Sequence, residues 1–318
     1  MSKALKFRDD KTFTIIQFTD IHWHNGEMLD RETQNLMTMA LDHITPDLVA
    51  LTGDILSGGN CKDPRESLRQ VVAIFEEREI PWAAVLGNHD YEGAISREEL
   101  VEEMASYSMS LTEPGPKDIS GSGNYVLRVQ NSDHKNTVAA LYFLDSGRGA
   151  PTDIGGYDWI RRDQIEWYIH ESTSLTHEAG QPLPALAFFH IPIPEYDEVW
   201  DLHTCYGVKY EPVCCPRVNT GFFAAMHEMG DVMGTFVGHD HINDYEGDLY
   251  GIRLCYCRGT GFHTYGREGF PRGARIIQLM EGERDFETWQ YLADGSTLLR
   301  YSEHAPAGRV LSGEGQAT

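Results

Sequence analysis

The chain has 318 residues, 41% of them apolar and 11% aromatic, which is enough to bury a sizeable core and excludes disorder throughout. Its 49 acidic residues outnumber 26 basic ones, for a formal charge of −23, which argues against a general affinity for nucleic acid or anionic membranes. No apolar run reaches the roughly 18 residues of a transmembrane helix. The opening stretch MSKALKFRDDKTFTIIQFTD also lacks a signal-peptide core and cleavage site, so a cytoplasmic location is expected.

Taken in chain order, FTIIQFTD (13–20) reads as a buried strand, and Leu29 to Ile44 carries apolar residues at helical spacing. DLVALTGD (47–54) is a second strand, Glu66 to Glu79 a helix, and PWAAVLGNHD (81–90) a third strand. This alternation predicts parallel βαβ units. The acidic run REELVEEM reads as solvated helix face. NYVLRVQ (124–130) and VAALYFLDSG (138–147) read as strands joined by a polar turn. A helix from Trp159 to Ser174 and a strand PALAFFHIP (184–192) follow.

Residues 193–220 are rich in Pro, Cys and Tyr and read as irregular, with YGVKYEPVCCPRVN (206–219) the best candidate for a specificity loop. A helix from Thr220 to Met229 leads into DVMGTFVGHDH, and 250–257, 274–280 and 286–292 complete a second group of strands. Residues 1–303 are expected to form one domain, with 304–318 a disordered tail. The six cysteines show no C-x-x-C spacing, so a reduced chain is the default, although Cys214 and Cys215 are neighbours and Cys255 and Cys257 share a strand face.

Polar residues collect at the C-terminal ends of predicted strands, the edge where open α/β sheets bind ligands. Five ends hold Asp20 and His22 (TDIH), Asp54 (TGD), Asn88, His89 and Asp90 (GNHD), His190 (FFH), and His239 and His241 (GHDH). Carboxylate, imidazole and amide oxygen together suit Mn, Fe, Zn or Co, and seven candidate ligands are enough for two ions. Gly53, Gly87 and Gly238 each precede a candidate, where a missing Cβ lets backbone approach closely.

The order D-x-H, GD, GNHD, H and GH-x-H resembles the signature of the calcineurin-like metallophosphoesterases, and it stands complete here over residues 20–241. LYFLDSG, YDWI, FHIPIPE, NTGFF and FVGHDHIND resemble the branch that holds plant proteins labelled purple acid phosphatases and related fungal phosphatases. The resemblance implies a four-layer α/β/β/α sandwich of two mixed sheets flanked by helices. It places one metal on Asp20, His22, Asp54 and His241, and a second on Asp54, Asn88, His190 and His239, with Asp54 bridging. His89 would serve the leaving group.

The implied activity is phosphate-ester hydrolysis through in-line attack of a metal-activated hydroxide, on a phosphorylated small molecule or phosphoprotein. Monoesters are favoured, and a phosphodiesterase with the same site, a dinuclear hydrolase acting on another bond and a non-catalytic scaffold are the alternatives. Where true purple acid phosphatases place a metal-binding tyrosine, three residues after the bridging aspartate, this chain has Ser57, which argues against a purple iron centre. The aspartate that orients the histidine in protein phosphatases is likewise missing, leaving Asp90 as a candidate. Arg148, Asn219, Arg258 and His263 are the candidates for substrate contact, Arg148 and Arg258 because a guanidinium can clamp phosphate. His24 reads equally as a pocket residue or an exposed turn residue. The sequence leaves the oligomeric state open.

Overall fold

The computed structural model describes residues 4–306. β1 (Leu5–Lys6) and β2 (Thr12–Phe18) come first, followed by α1 (Met28–Ile44), β3 (Leu48–Thr52), α2 (Pro64–Glu76), β4 (Trp82–Val85) and α3 (Arg97–Ala105). Next come β5 (Tyr125–Gln130), β6 (Thr137–Phe143), α4 (Arg162–Ala179), β7 (Ala185–Phe188), α5 (Glu195–Leu202), β8 (Cys205–Tyr206), α6 (Phe222–Met229) and β9 (Val232–Val237). The last strands are β10 (Glu246–Leu249), β11 (Ile252–Tyr256), β12 (Gly273–Met280), β13 (Phe286–Leu292), β14 (Thr297–Leu298) and β15 (Glu303–His304).

These strands form two mixed sheets, in the orders β14-β13-β12-β2-β3-β4 and β1-β5-β6-β7-β9-β11-β10-β8-β15. β2, β3 and β4 are parallel neighbours, as the early alternation predicts. β7 lies parallel between β6 and β9 in the larger sheet, while β5 and β6 form the expected antiparallel pair. Side chains two apart share a strand face. Phe13 and Ile15 therefore point between the sheets, whereas Ile16 and Phe18 point at the helices.

The same alternation gives three cores and hence four layers. One core packs the six-stranded sheet against Leu36, Met37, Leu68, Val71 and Leu100 of α1–α3. Another packs the larger sheet against Ile165, Tyr168, Val199 and Met226 of α4–α6. The middle core holds only strand and strand-flanking residues. Through it runs a row of rings, Tyr125, Phe143, Phe188, Phe236 and Phe286, with successive centroids 4.9, 4.9, 5.3 and 5.3 Å apart. The last ring belongs to β13, so the row ties one sheet to the other.

The acidic run at 97–104 is a solvated helix face as expected, with Glu98, Glu99 and Glu102 exposed on α3, while Ser96 caps the helix and Leu100, Val101 and Met104 are buried beneath it. Two expectations are corrected. The segment expected to be irregular contains α5, which buries Tyr196 and Val199, and the strand β8. His304, where the tail was expected to begin, lies in β15, which pairs with β8, and its ring stacks on Trp200 with centroids 3.8 Å apart. Residues 307–318 lie outside the described residues. All six cysteines are unpaired, and no helix among the described residues is long and apolar enough to cross a membrane.

Candidate metal centre

The C-terminal ends of β2, β3 and β4 in one sheet meet those of β7 and β9 in the other. Just below this edge, the buried Gln17 amide of β2 donates to Thr52 Oγ1 (2.8 Å) and to the Val237 carbonyl of β9 (3.1 Å), fastening the two sheets together. Above it the loops bond to one another: Asp20 N–H to the Gly53 carbonyl, His22 N–H to the Asp54 carbonyl and Gly238 N–H to the His190 carbonyl. Asp20, His22, Asp54 and His239 all hold left-handed backbone, with φ of 51°, 48°, 49° and 76°. Such strain clusters at functional sites and persists only where the surroundings over-determine it. Two glycines make the crowding possible, as the sequence suggested. A Cβ on Gly53 would stand 2.6 Å from the His190 ring, and one on Gly87 would stand 2.2 Å from Asp54.

All seven sequence-predicted ligands are buried, and six of them fall into two clusters. Asp20, His22 and His241 offer ligand atoms within 4.8 Å of one another, and Asp54, His190 and His239 form a second such group. Asp54 joins the groups, since its Oδ2 lies 3.4 Å from His22 Nε2 and 3.2 Å from His190 Nε2. His241 Nε2 is 3.3 Å from Asp20 Oδ1. Two ligand atoms on one ion stand about 3.0 Å apart in octahedral and about 3.4 Å apart in tetrahedral geometry. The buried His22 Nε2, His190 Nε2, His239 Nε2 and Asn88 Oδ1 have no hydrogen-bond partner. Buried polar atoms are rarely left this way, and a shared unmet need in one place points to metal ions.

The remaining atoms of these side chains are occupied, which fixes the lone pairs that face inward. His190 Nδ1 donates to the Thr52 carbonyl at 2.8 Å, leaving Nε2 as the ligand nitrogen. His22 Nδ1 lies 3.2 Å from Ser57 Oγ, so the residue that stands in place of a tyrosine supports a ligand. Burial alone would raise the carboxyls, but His241 and His190 outweigh it and hold Asp20 at about 2, and His190 and His22 hold Asp54 well below its ordinary value. Burial also works against charge on His190, yet Asp54 and Asp20 lift that imidazole to about 10. A site that draws a proton so strongly onto a buried ring would equally favour a cation in the proton's place.

His89 stands beside this group, its ring 5.3 Å from that of His22 and its backbone N–H donating to Asp54 Oδ1 at 2.7 Å. Its Nδ1 lies 2.8 Å from Glu92 Oε2, and Glu92 Oε1 takes a 3.1 Å bond from Arg148. Burial opposes the charge on His89, but Asp54 and Glu92 prevail and raise its pKa. Asp90 does not orient this ring: its carboxylate accepts the N–H groups of Leu56 and Gly87 at 2.8 and 2.7 Å and shapes the turn. The partner is Glu92, a turn residue whose role depends on a fold-back the sequence pattern does not encode.

Of the four substrate candidates, Arg148 is the one bonded to Glu92, the partner of His89. Arg258 is buried, paired with Asp244 at 2.7 Å and bonded to the Pro271 carbonyl, so it is a structural cation. Asn219 donates to Glu195 and accepts the Gly221 N–H, which uses its amide to anchor a loop. His263 stacks on His24, with centroids 3.6 Å apart. Two rings that sequence reading did not single out flank the candidate ligands instead. Tyr157 meets His239 edge-on at 4.3 Å, and Tyr265 stacks on His241 at 4.2 Å. Tyr265 donates to Glu211 of the 206–219 segment at 2.7 Å, and Cys214 N–H donates to Asp240, so that segment borders the centre. Asp240 turns away from the ligands and accepts the Tyr256 hydroxyl at 2.6 Å.

Comparison with known proteins agrees with this geometry. The "Probable inactive purple acid phosphatase 28" of Arabidopsis thaliana is 36% identical, over 91% of this chain and 83% of its own length. "Phosphatase DCR2" of Saccharomyces cerevisiae is 32% identical, over 92% of this chain and 55% of its own length. The crystal structure of a dimetal phosphatase from Danio rerio shares the fold, with a TM-score of 0.58 at 15% identity, covering 91% of this chain and 99% of that one. The family model for calcineurin-like phosphoesterases matches residues 13–243, the stretch that carries every candidate ligand, and the chain belongs to that family.

Proposed function

We propose that the chain hydrolyses phosphate esters, monoesters in preference to diesters, at a centre of two metal ions. The observation that carries this reading is the set of buried, unpartnered ligand atoms on His22, Asn88, His190 and His239 around the shared Asp54. Asp20, His22, Asp54 and His241 would hold one ion, and Asp54, Asn88, His190 and His239 the other. Bound there, the ions would supply positive charge against the phosphoryl oxygens and acidify water. That charge also answers the objection that a chain of −23 repels phosphate.

The chain's own groups do the rest. Glu92 holds His89 at Nδ1 and favours its charged form, so Nε2–H is left to protonate the departing oxygen. The names of the plant and yeast relatives support a phosphatase and thus the lean to monoesters. Ser57 in place of a tyrosine gives a further expectation: the iron-loaded protein shows no tyrosinate charge-transfer band in the visible.

The word "inactive" in the Arabidopsis name favours a second reading, a metal-binding scaffold for protein partners. Retention of the ligand set and of the His89–Glu92 pair speaks for catalysis in this chain. The deciding experiment strips the protein, reloads it with Mn, Fe, Zn or Co, and assays chromogenic mono- and diesters. Metal-dependent turnover, faster on monoesters, is expected. Two bound ions without turnover on any ester would favour the scaffold.

A further inference from the structure

The signature of the metal centre recurs once more among the described residues, at a place the family motifs do not reach. His24, Glu27 and His263 each offer a ligand atom within 4.8 Å of the others. His24 and Glu27 lie in the turn that enters α1, and His263 follows β11 in sequence. His24 Nδ1 is 3.9 Å from Glu27 Oε2. His263 has a side chain only 10% exposed, and its Nε2 is buried without a hydrogen-bond partner, 3.3 Å from Asp30 Oδ1. That separation matches the ligand pairs of the main centre, which span 3.2–3.4 Å.

Asp30 is held rigidly for such a task. Its Oδ2 accepts the N–H groups of Asn25, Gly26 and Glu27, while Oδ1 accepts only that of His24 and keeps a lone pair towards His263. The competing explanation is a plain ion pair of a protonated His263 with Asp30. It leaves Nε2 without an aligned acceptor, and it presses a cation face to face against the His24 ring, 3.6 Å away at 21°. With both imidazoles neutral, the two carboxylates carry the charge of −2 that a divalent ion balances. Imidazole and carboxylate together select a borderline ion of the zinc type. A shared ion requires the stacked rings to turn edge-on, and the partly open His24 and the exposed Glu27, with side chains 19% and 53% accessible, leave room for that.

We infer that His24, Glu27, Asp30 and His263 form a third cation site, a zinc-type structural site that clamps the segment after β11 onto the start of α1. It is independent of the hydrolytic reading, because it shares no ligand with the main centre. The test strips the full-length protein with chelator, reloads it with Zn2+ and measures bound zinc by mass spectrometry alongside a calorimetric titration. The wild type is expected to bind one equivalent more than the His24→Gln/His263→Gln double variant. Asp54→Asn should lose zinc from the main centre and keep this equivalent. Glu27→Gln keeps a side-chain oxygen for the capping box at the start of α1 while removing the charge, and should weaken one equivalent by about tenfold or more. Equal zinc content in wild type and a folded double variant, or unchanged affinity in Glu27→Gln, would overturn the assignment.

Discussion

At the scale of single residues, the useful distinction is between side chains that would hold ions and side chains that would move protons. His89→Ala is expected to lower kcat by about 10²–10⁴-fold while leaving metal content unchanged, measured by steady-state assay and elemental analysis on one preparation. Loss of bound metal in that variant would contradict the division. Glu92→Gln separates positioning from mere structure through a pH profile. Glu92 raises the pKa of His89, and an acid must stay protonated to donate, so activity falls as pH rises through that value. Removing the carboxylate lowers the pKa, and the basic limb of kcat should move to lower pH. An unmoved limb would mean that Glu92 only shapes the turn.

The candidate ligands were legible in the sequence because each is a polar residue just after an apolar strand, where packing gives it no reason to be. Arg258 misled because its partner, Asp244, is fourteen residues away, and only the fold shows that the guanidinium is already satisfied. Tyr157 and Tyr265 went unnoticed for the complementary reason. Nothing local distinguishes a tyrosine that covers a ligand from one that covers a core.

At the scale of elements, the ring row runs along the larger sheet and crosses to the smaller one where Phe236 meets Phe286. Phe143 is fully buried with an aromatic neighbour on each side, so Phe143→Ala should cost about 3–5 kcal/mol in denaturant unfolding. The central strands could be read from sequence because both faces are apolar. α5 could not, since its eight residues follow Pro194, place three acids in the first turn and bury only Glu195, Tyr196 and Val199. So short an amphipathic stripe, in a segment rich in Pro and Cys, gives a weak periodic signal.

At the scale of the whole molecule, two sheets meeting along one edge make stability depend on what binds there. Ions that bind only the folded chain stabilise it by about 2.7 kcal/mol per site at a hundred times their Kd. Chelation should therefore lower the midpoint of thermal unfolding, and restoring the metal should recover it. Asp54→Asn should blunt that recovery, as calorimetric scans of both proteins would show. An unchanged midpoint on chelation would mean that the ions do not couple to the fold.

The left-handed backbone at Asp20, His22, Asp54 and His239 bears on engineering. Each such residue stores about 1–3 kcal/mol of local strain, so short peptides copied from these loops would relax into ordinary extended or helical shapes. The motif is thus not portable as a string of letters. A designer who wants this centre in another scaffold must also transplant the crossing carbonyls of Thr52, Gly53 and His190, and a Gln17 equivalent beneath them.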